Sequence, residues 1–78
     1  MKKRYRLGRI KDNDDITASW RNIIVILDED NQNANKVQCY PVNLAGGSPH
    51  MLRKDFFDYM DNWVTGIDEA REMFNENL

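Results

Sequence analysis

Apolar residues in the last third of the chain fall at Leu52, Phe56, Met60, Trp63, Ile67, Ala70 and Phe74, separated by steps of four, four, three, four, three and four. That spacing places all seven on one side of a 3.6-residue helix, with Phe57, Val64 and Met73 widening the stripe. The pattern predicts a helix whose start is set by Ser48 as the capping hydroxyl and Pro49 at the first helical position, where a missing N–H costs little. Thr65-Gly66 interrupts it, and Thr65-x-x-Asp68 resembles a capping box. Two arrangements stay open: one helix from Pro49 to Glu76, or two helices meeting near Gly66.

The earlier residues read as strands. From Lys3 to Lys11, Tyr5 and Leu7 point one way and Arg4, Arg6 and Gly8 the other, so a first strand turns its apolar members to the helix and its basic ones to water. Asp12-Asn13-Asp14-Asp15 ends it, because these side chains bond to their own backbone in turns. Ile16 to Leu27 is the strongest strand, rich in β-branched and aromatic residues, and is expected at the centre of the sheet. Its run Ile23-Ile24-Val25-Ile26-Leu27 is apolar on both sides, so both faces must be covered or one must meet a partner. Asp28 to Lys36 lacks large apolar residues and reads as a mobile connection in a long hairpin. Val37 to Leu44 forms a third strand, which Pro41 places at an edge or at a bulge, and Ala45-Gly46-Gly47 stops it.

These elements predict an α+β fold in a single domain, residues 1–78: a three-stranded antiparallel meander packed on one face by a C-terminal helix or helix pair. The expected core centre is Trp20, Ile24, Ile26, Val42, Phe56, Met60, Trp63, Ile67 and Phe74.

Size and charge refine the picture. A chain of 78 residues buries only about 60–65% of the surface its unfolded form exposes, so stability is modest or aided by a partner. Cys39 is the only cysteine, which excludes an internal disulfide and fits a reducing cytoplasm. No secretion signal is expected, because Arg6, Gly8, Arg9 and Lys11 interrupt any apolar segment after the basic opening. The longest aliphatic run is 23–27, against about 20 residues for a membrane-crossing helix. The net charge of −2 conceals segregation: residues 1–11 carry only basic charges, whereas 12–30 and 54–78 are predominantly acidic.

Candidate chemistry is sparse. Ser48 and His50 lie two apart at the expected helix start, where they read as a cap and a first-turn polar residue rather than a nucleophile and its base. Cys39 reads as a small buried strand residue. One cysteine and one histidine make no structural zinc site. Asp12-x-Asp14 and Asp28-x-Asp30 open like calcium loops, but Thr17 and Asn33 replace the glycine and Ile23 and Cys39 the glutamate that the pattern requires. Ala45-Gly46-Gly47-Ser48 lacks the lysine of a phosphate-binding loop and reads as a turn. The expectation is therefore no catalytic residue, no cofactor and no metal.

What remains is binding. Carboxylates at Asp55, Asp58, Asp61, Asp68, Glu69 and Glu72 would line the exposed helix face, and Asp28, Glu29 and Asp30 would extend that surface from a loop. Such a face suits a partner protein with a basic surface, contacted by a monomer or homodimer. By analogy of size and charge, the expectation is a small phage or mobile-element inhibitor of a host nucleic-acid-handling protein. The alternative is RNA or single-stranded DNA binding through the basic and aromatic strip Lys2, Lys3, Arg4, Tyr5, Arg6 and Arg9. No membrane partner is expected.

Overall fold

The structure, a computed structural model, describes residues 3–16, 18–42 and 48–75. Lys2, Thr17, Leu44, the Ala45-Gly46-Gly47 stop and Glu76 lie outside that range. The described chain is α+β, with five antiparallel strands, β1 (Tyr5–Ile10), β2 (Ile24–Gln32), β3 (Lys36–Pro41), β4 (His50–Arg53) and β5 (Phe57–Val64), followed by one helix, α1 (Ile67–Asn75). Short 3-10 turns at Ala18–Trp20 and Lys54–Phe56 precede β2 and β5. The sheet order is β4-β3-β2-β1-β5.

Two strands were not expected, and they replace the first half of the predicted helix. Residues 50–53 and 57–64 are extended, Ser48 and Pro49 lie in no regular element, and α1 begins only after Gly66. Neither the long helix nor the helix pair forms. The cap at Gly66 is nevertheless close to the one anticipated: the Thr65 N–H and Oγ1 both donate to Glu69 Oε2, at 2.8 and 2.6 Å, so Glu69 rather than Asp68 closes the box.

Other boundaries shift for local reasons. Residues 18–20 form a 3-10 turn, so β2 starts at Ile24 and not at Ile16. The turn into β2 uses Asn22 in the left-handed region (φ 62°), which asparagine tolerates, and its N–H donates to Ile10 O at 2.8 Å. The expected mobile connection 28–36 is mostly strand, since β2 runs to Gln32 and β3 resumes at Lys36, with a register shift between Asp28 and Gln32. Asn33 makes the tight turn: its Oδ1 accepts from the N–H groups of Asn35 and Lys36. Pro41 lies beyond the last β3–β4 pair, Cys39↔His50, so its missing N–H interrupts no ladder on that side.

The β4–β5 connection determines the shape. These strands occupy opposite edges of the sheet, about 19 Å apart if four inter-strand gaps lay flat. Only Lys54, Asp55 and Phe56 join them, in a turn that advances about 2 Å per residue. The sheet must therefore curl until the Arg53 end of β4 approaches the Phe57 end of β5. Two hydrogen bonds stitch the closure: Lys54 N–H to Asn35 O at 2.8 Å and Lys11 N–H to Phe56 O at 2.7 Å.

Rolling creates an inside and an outside. Ile10, Ile16, Val25, Leu27, Val37, Cys39, Phe56 and Phe57 fill the interior, and Leu7, Ile24, Ile26, Val42, Val64 and Ala70 form a second core on the outer face, covered by Ile67, Ala70 and Phe74 of α1. The Ile24 to Leu27 run is thus buried on both faces of the central strand, as its composition demands. Arg71 Nε donates to Val42 O at 3.0 Å and pins the helix over the end of β3. Of the expected core, Ile24, Ile26, Val42 and Phe56 are buried, Trp20, Met60, Ile67 and Phe74 pack half-buried against it, and Trp63 is instead 42% exposed. Among the described residues, no helix is long and apolar enough to cross a membrane.

Candidate functional site

The interior face of β1 and β5 runs out of the core to an open end of the rolled sheet. Cross-strand partners share a face, and the register pairs Gly8 with Tyr59 and Arg6 with Trp63. Past the core, that face therefore presents Tyr59, 39% exposed, and Trp63. The Arg6 guanidinium lies 5.5 Å from the Tyr59 ring centroid and 5.6 Å from that of Trp63, and Arg4 stands 5.6 Å from Trp63. Tyr59 in turn packs edge-on against buried Phe57, with centroids 6.3 Å apart. Two rings and two guanidiniums thus form one patch on β1, β5 and the residue just before β1.

Hydrogen bonding fixes Arg6 in place. Its Nε donates to Met60 O at 2.8 Å and its Nη2 to Asp61 Oδ1 at 3.2 Å, although the Asp61 side chain is fully solvent-exposed. Arg4 has no carboxylate within 4.0 Å among the described residues. Glu29 borders the patch and acts on Tyr59. Its Oε1 is buried and has no hydrogen-bond partner among the described residues. Burial, with the Glu29 charge adding to it, pushes the Tyr59 hydroxyl above its ordinary value of 10.0, against the opposing effect of Arg6.

The acidic residues do not share a helix face, because the predicted helix is largely strand. Asp55 sits on the 3-10 turn and pairs with Arg53 at 2.7 Å, Asp58 on β5 lies 3.7 Å from Lys11, and Asp61 pairs with Arg6. Only Asp68, Glu69 and Glu72 lie on α1, where Asp68 is 4.0 Å from Arg71 and Glu69 caps the helix. Asp28 is 2% exposed and bonded to Lys3, while Asp30 is exposed at 3.9 Å from the same ammonium. The basic strip also divides. Arg4 and Arg6 join the aromatic patch, whereas Tyr5 packs on Tyr40 on the opposite face of β1, beneath Lys3, and Arg9 is exposed.

The register brings Cys39 opposite His50 on the same face of β3 and β4, but the two side chains differ in exposure. The thiol is buried in the interior, where burial pushes its pKa up to about 12, and exposed His50 meets Trp20 edge-on at 4.8 Å. A thiol in that state supplies no thiolate near neutral pH. The Asp28 carboxylate of the calcium-like pair is already occupied by Lys3, Asn31 Nδ2 and the Asp30 N–H. Among the described residues, no three His, Cys, Asp or Glu side chains converge as a metal site would require.

Tyr59 and Trp63 are the site residues that sequence reasoning missed. Their signal was alternation: Phe57, Tyr59, Asp61 and Trp63 stand two apart, the period of a strand. Fold and patch together define a small α+β domain with a rolled five-stranded sheet and an exposed arginine and aromatic surface at its open end. Comparison with protein families, with curated proteins and with solved structures finds no match for this chain.

Proposed function

We propose that the domain is a non-enzymatic binding module that docks on another protein, in the cytoplasm, through Arg4, Arg6, Tyr59 and Trp63. The observation that supports this reading is the pair of large exposed rings on β5 held against the guanidiniums of Arg6 on β1 and Arg4 just before it. Trp, Tyr and Arg dominate the binding energy of protein interfaces, because they bury much area at little conformational cost. The charge around the patch is nearly balanced, with Asp61 and Glu29 beside Arg4 and Arg6. A balanced rim suits a protein partner, whereas a polyanion is held mainly by uncompensated cations. An inhibitor of a host nucleic-acid-handling protein, the role suggested by size and charge, is one form such a module takes.

The guanidiniums stacked on rings favour one second reading, single-stranded nucleic acid, since bases stack on the same surfaces. One experiment separates the two. Purified wild-type and Trp63→Ala domains are used to capture partners from a bacterial lysate with and without nuclease, followed by mass spectrometry. A protein retained after nuclease by wild type and lost in Trp63→Ala supports the module. Loss of all binding with nuclease transfers the patch to nucleic acid, and retention by Trp63→Ala removes the patch from the function.

A further inference from the structure

We infer that the partner segment seated on this patch is an extended acidic peptide, with carboxylates on alternate residues that take Arg4 and Arg6. The inference rests on the binding reading above and specifies its ligand. Lys3, Arg6, Lys11, Arg21, Arg53 and Arg71 each have a carboxylate within 4.0 Å. Arg4, Arg9, Lys36 and Lys54 have none among the described residues, and of these four only Arg4 is held over a ring, the exposed indole of Trp63. An aromatic ring beneath a guanidinium orients it and leaves the edge of its fork open to an oxyanion. Arg6 is braced the same way by two rings and by Met60 O, and its own carboxylate, Asp61, is so fully solvated that the pair contributes little and exchanges readily.

The spacing specifies the ligand further. Arg6 lies on β1 and Arg4 one residue before that strand, and a chain extended through both sets them about 7 Å apart. Carboxylates at alternate positions of an extended peptide repeat at the same distance, so two guanidinium–carboxylate pairs form in register. The residue between them points away from the patch, because successive side chains of an extended chain face opposite sides. The net charge of −2, with Asp61 paired to Arg6 and Glu29 acting on Tyr59, sets a limit: a short acidic segment is tolerated where a long polyphosphate chain is repelled.

The test is a titration of the isotope-labelled full chain with acetyl-Gly-Glu-Phe-Glu-Gly-amide, its Gln and Lys counterparts, and octathymidylate, following the Trp63 indole N–H by NMR. The Glu peptide is expected to bind saturably, roughly tenfold or more tighter than the Gln and Lys peptides, and to weaken by about the same factor in Arg4→Gln and with added salt. Arg6→Gln serves as the second variant, and a well-dispersed spectrum certifies that each variant is folded. Equal binding of the Gln or Lys peptide, tighter binding of octathymidylate, or no saturable shift overturns the inference. If Trp63→Ala loses a captured protein while Arg4→Gln retains it fully, the binding module stands and the acidic ligand falls.

Discussion

Lys3 Nζ sits 2.7 Å from Asp28 Oδ2 and joins the start of β1 to a carboxylate that is 2% exposed on β2. Burial alone would raise the Asp28 pKa. Hydrogen bonds from Lys3, Asn31 and the Asp30 N–H, with the Lys3 charge, outweigh it and hold the carboxyl below its ordinary 3.8. A carboxyl whose folded pKa is depressed adds stability that is fully present above its unfolded pKa and is lost as pH falls through the folded value. Asp28→Asn is therefore expected to cost about 1–3 kcal/mol near neutral pH and to flatten the loss of stability below about pH 4, as read by urea unfolding across pH. An acid limb identical to that of wild type would show that Asp28 does not carry it.

Gly8 has no room for a side chain. A Cβ there would lie 3.0 Å from Leu27 Cδ1 and 3.1 Å from the Asp58 backbone oxygen, beside the β1–β5 register shift. Leucine can yield, but the carbonyl of a paired strand cannot without moving β5. Alanine in place of a strand glycine ordinarily stabilises by about 0.5–1 kcal/mol. Here Gly8→Ala is expected to destabilise, by about 1–3 kcal/mol. The sign of the shift in the thermal midpoint decides between crowding and backbone entropy.

The buried Cys39 thiol, with its pKa near 12, should be almost inert to a thiol-specific reagent at about pH 8. Its labelling rate should rise with urea in step with global unfolding, because β3 is an interior strand of the sheet. Fast labelling of the folded protein would mean that the interior opens locally.

Tyr59 reports on the patch directly. Because Glu29 helps to raise its pKa and Arg6 opposes that shift, Glu29→Gln should move the phenol titration down and Arg6→Gln should move it up. Ring resonances followed by NMR through the alkaline range distinguish Tyr59 from Tyr5 and Tyr40. Two shifts in the same direction would place one of the two charges away from the phenol.

The centre of the sheet was legible because its pattern had one solution. Ile24 to Leu27 is apolar at every position, and only a central strand buried on both faces accommodates that. Tyr5 and Leu7 do turn to the helix side, and Ile67, Ala70 and Phe74 do form the helical stripe that meets them. Residues 50–64 misled because Leu52, Phe56 and Met60 match one helical face, whereas Leu52 lies on β4, Phe56 in the 3-10 turn and Met60 on β5. The odd step to Trp63 looked like helix geometry, whereas that side chain points out of the core. Arg4 and Arg6 were visible as charges, but their setting was not, since Tyr59 and Trp63 reach them only once β5 lies beside β1. The 3-10 turn at 54–56, which makes that neighbour possible, carries no sequence signal strong enough to compete with the helical spacing.

Pairing β1 with β5 has a consequence for how the molecule comes into being. The third strand to emerge from the ribosome already has a neighbour waiting, but the edge of β1 that holds Arg6 and Gly8 against β5 stays open until residues 57–64 have been made. Closure thus waits for the fifth strand rather than proceeding by gradual accretion. The arginine and aromatic patch, built from the first and fifth strands, is assembled only once β5 has paired with β1, so a chain truncated before residue 57 lacks it.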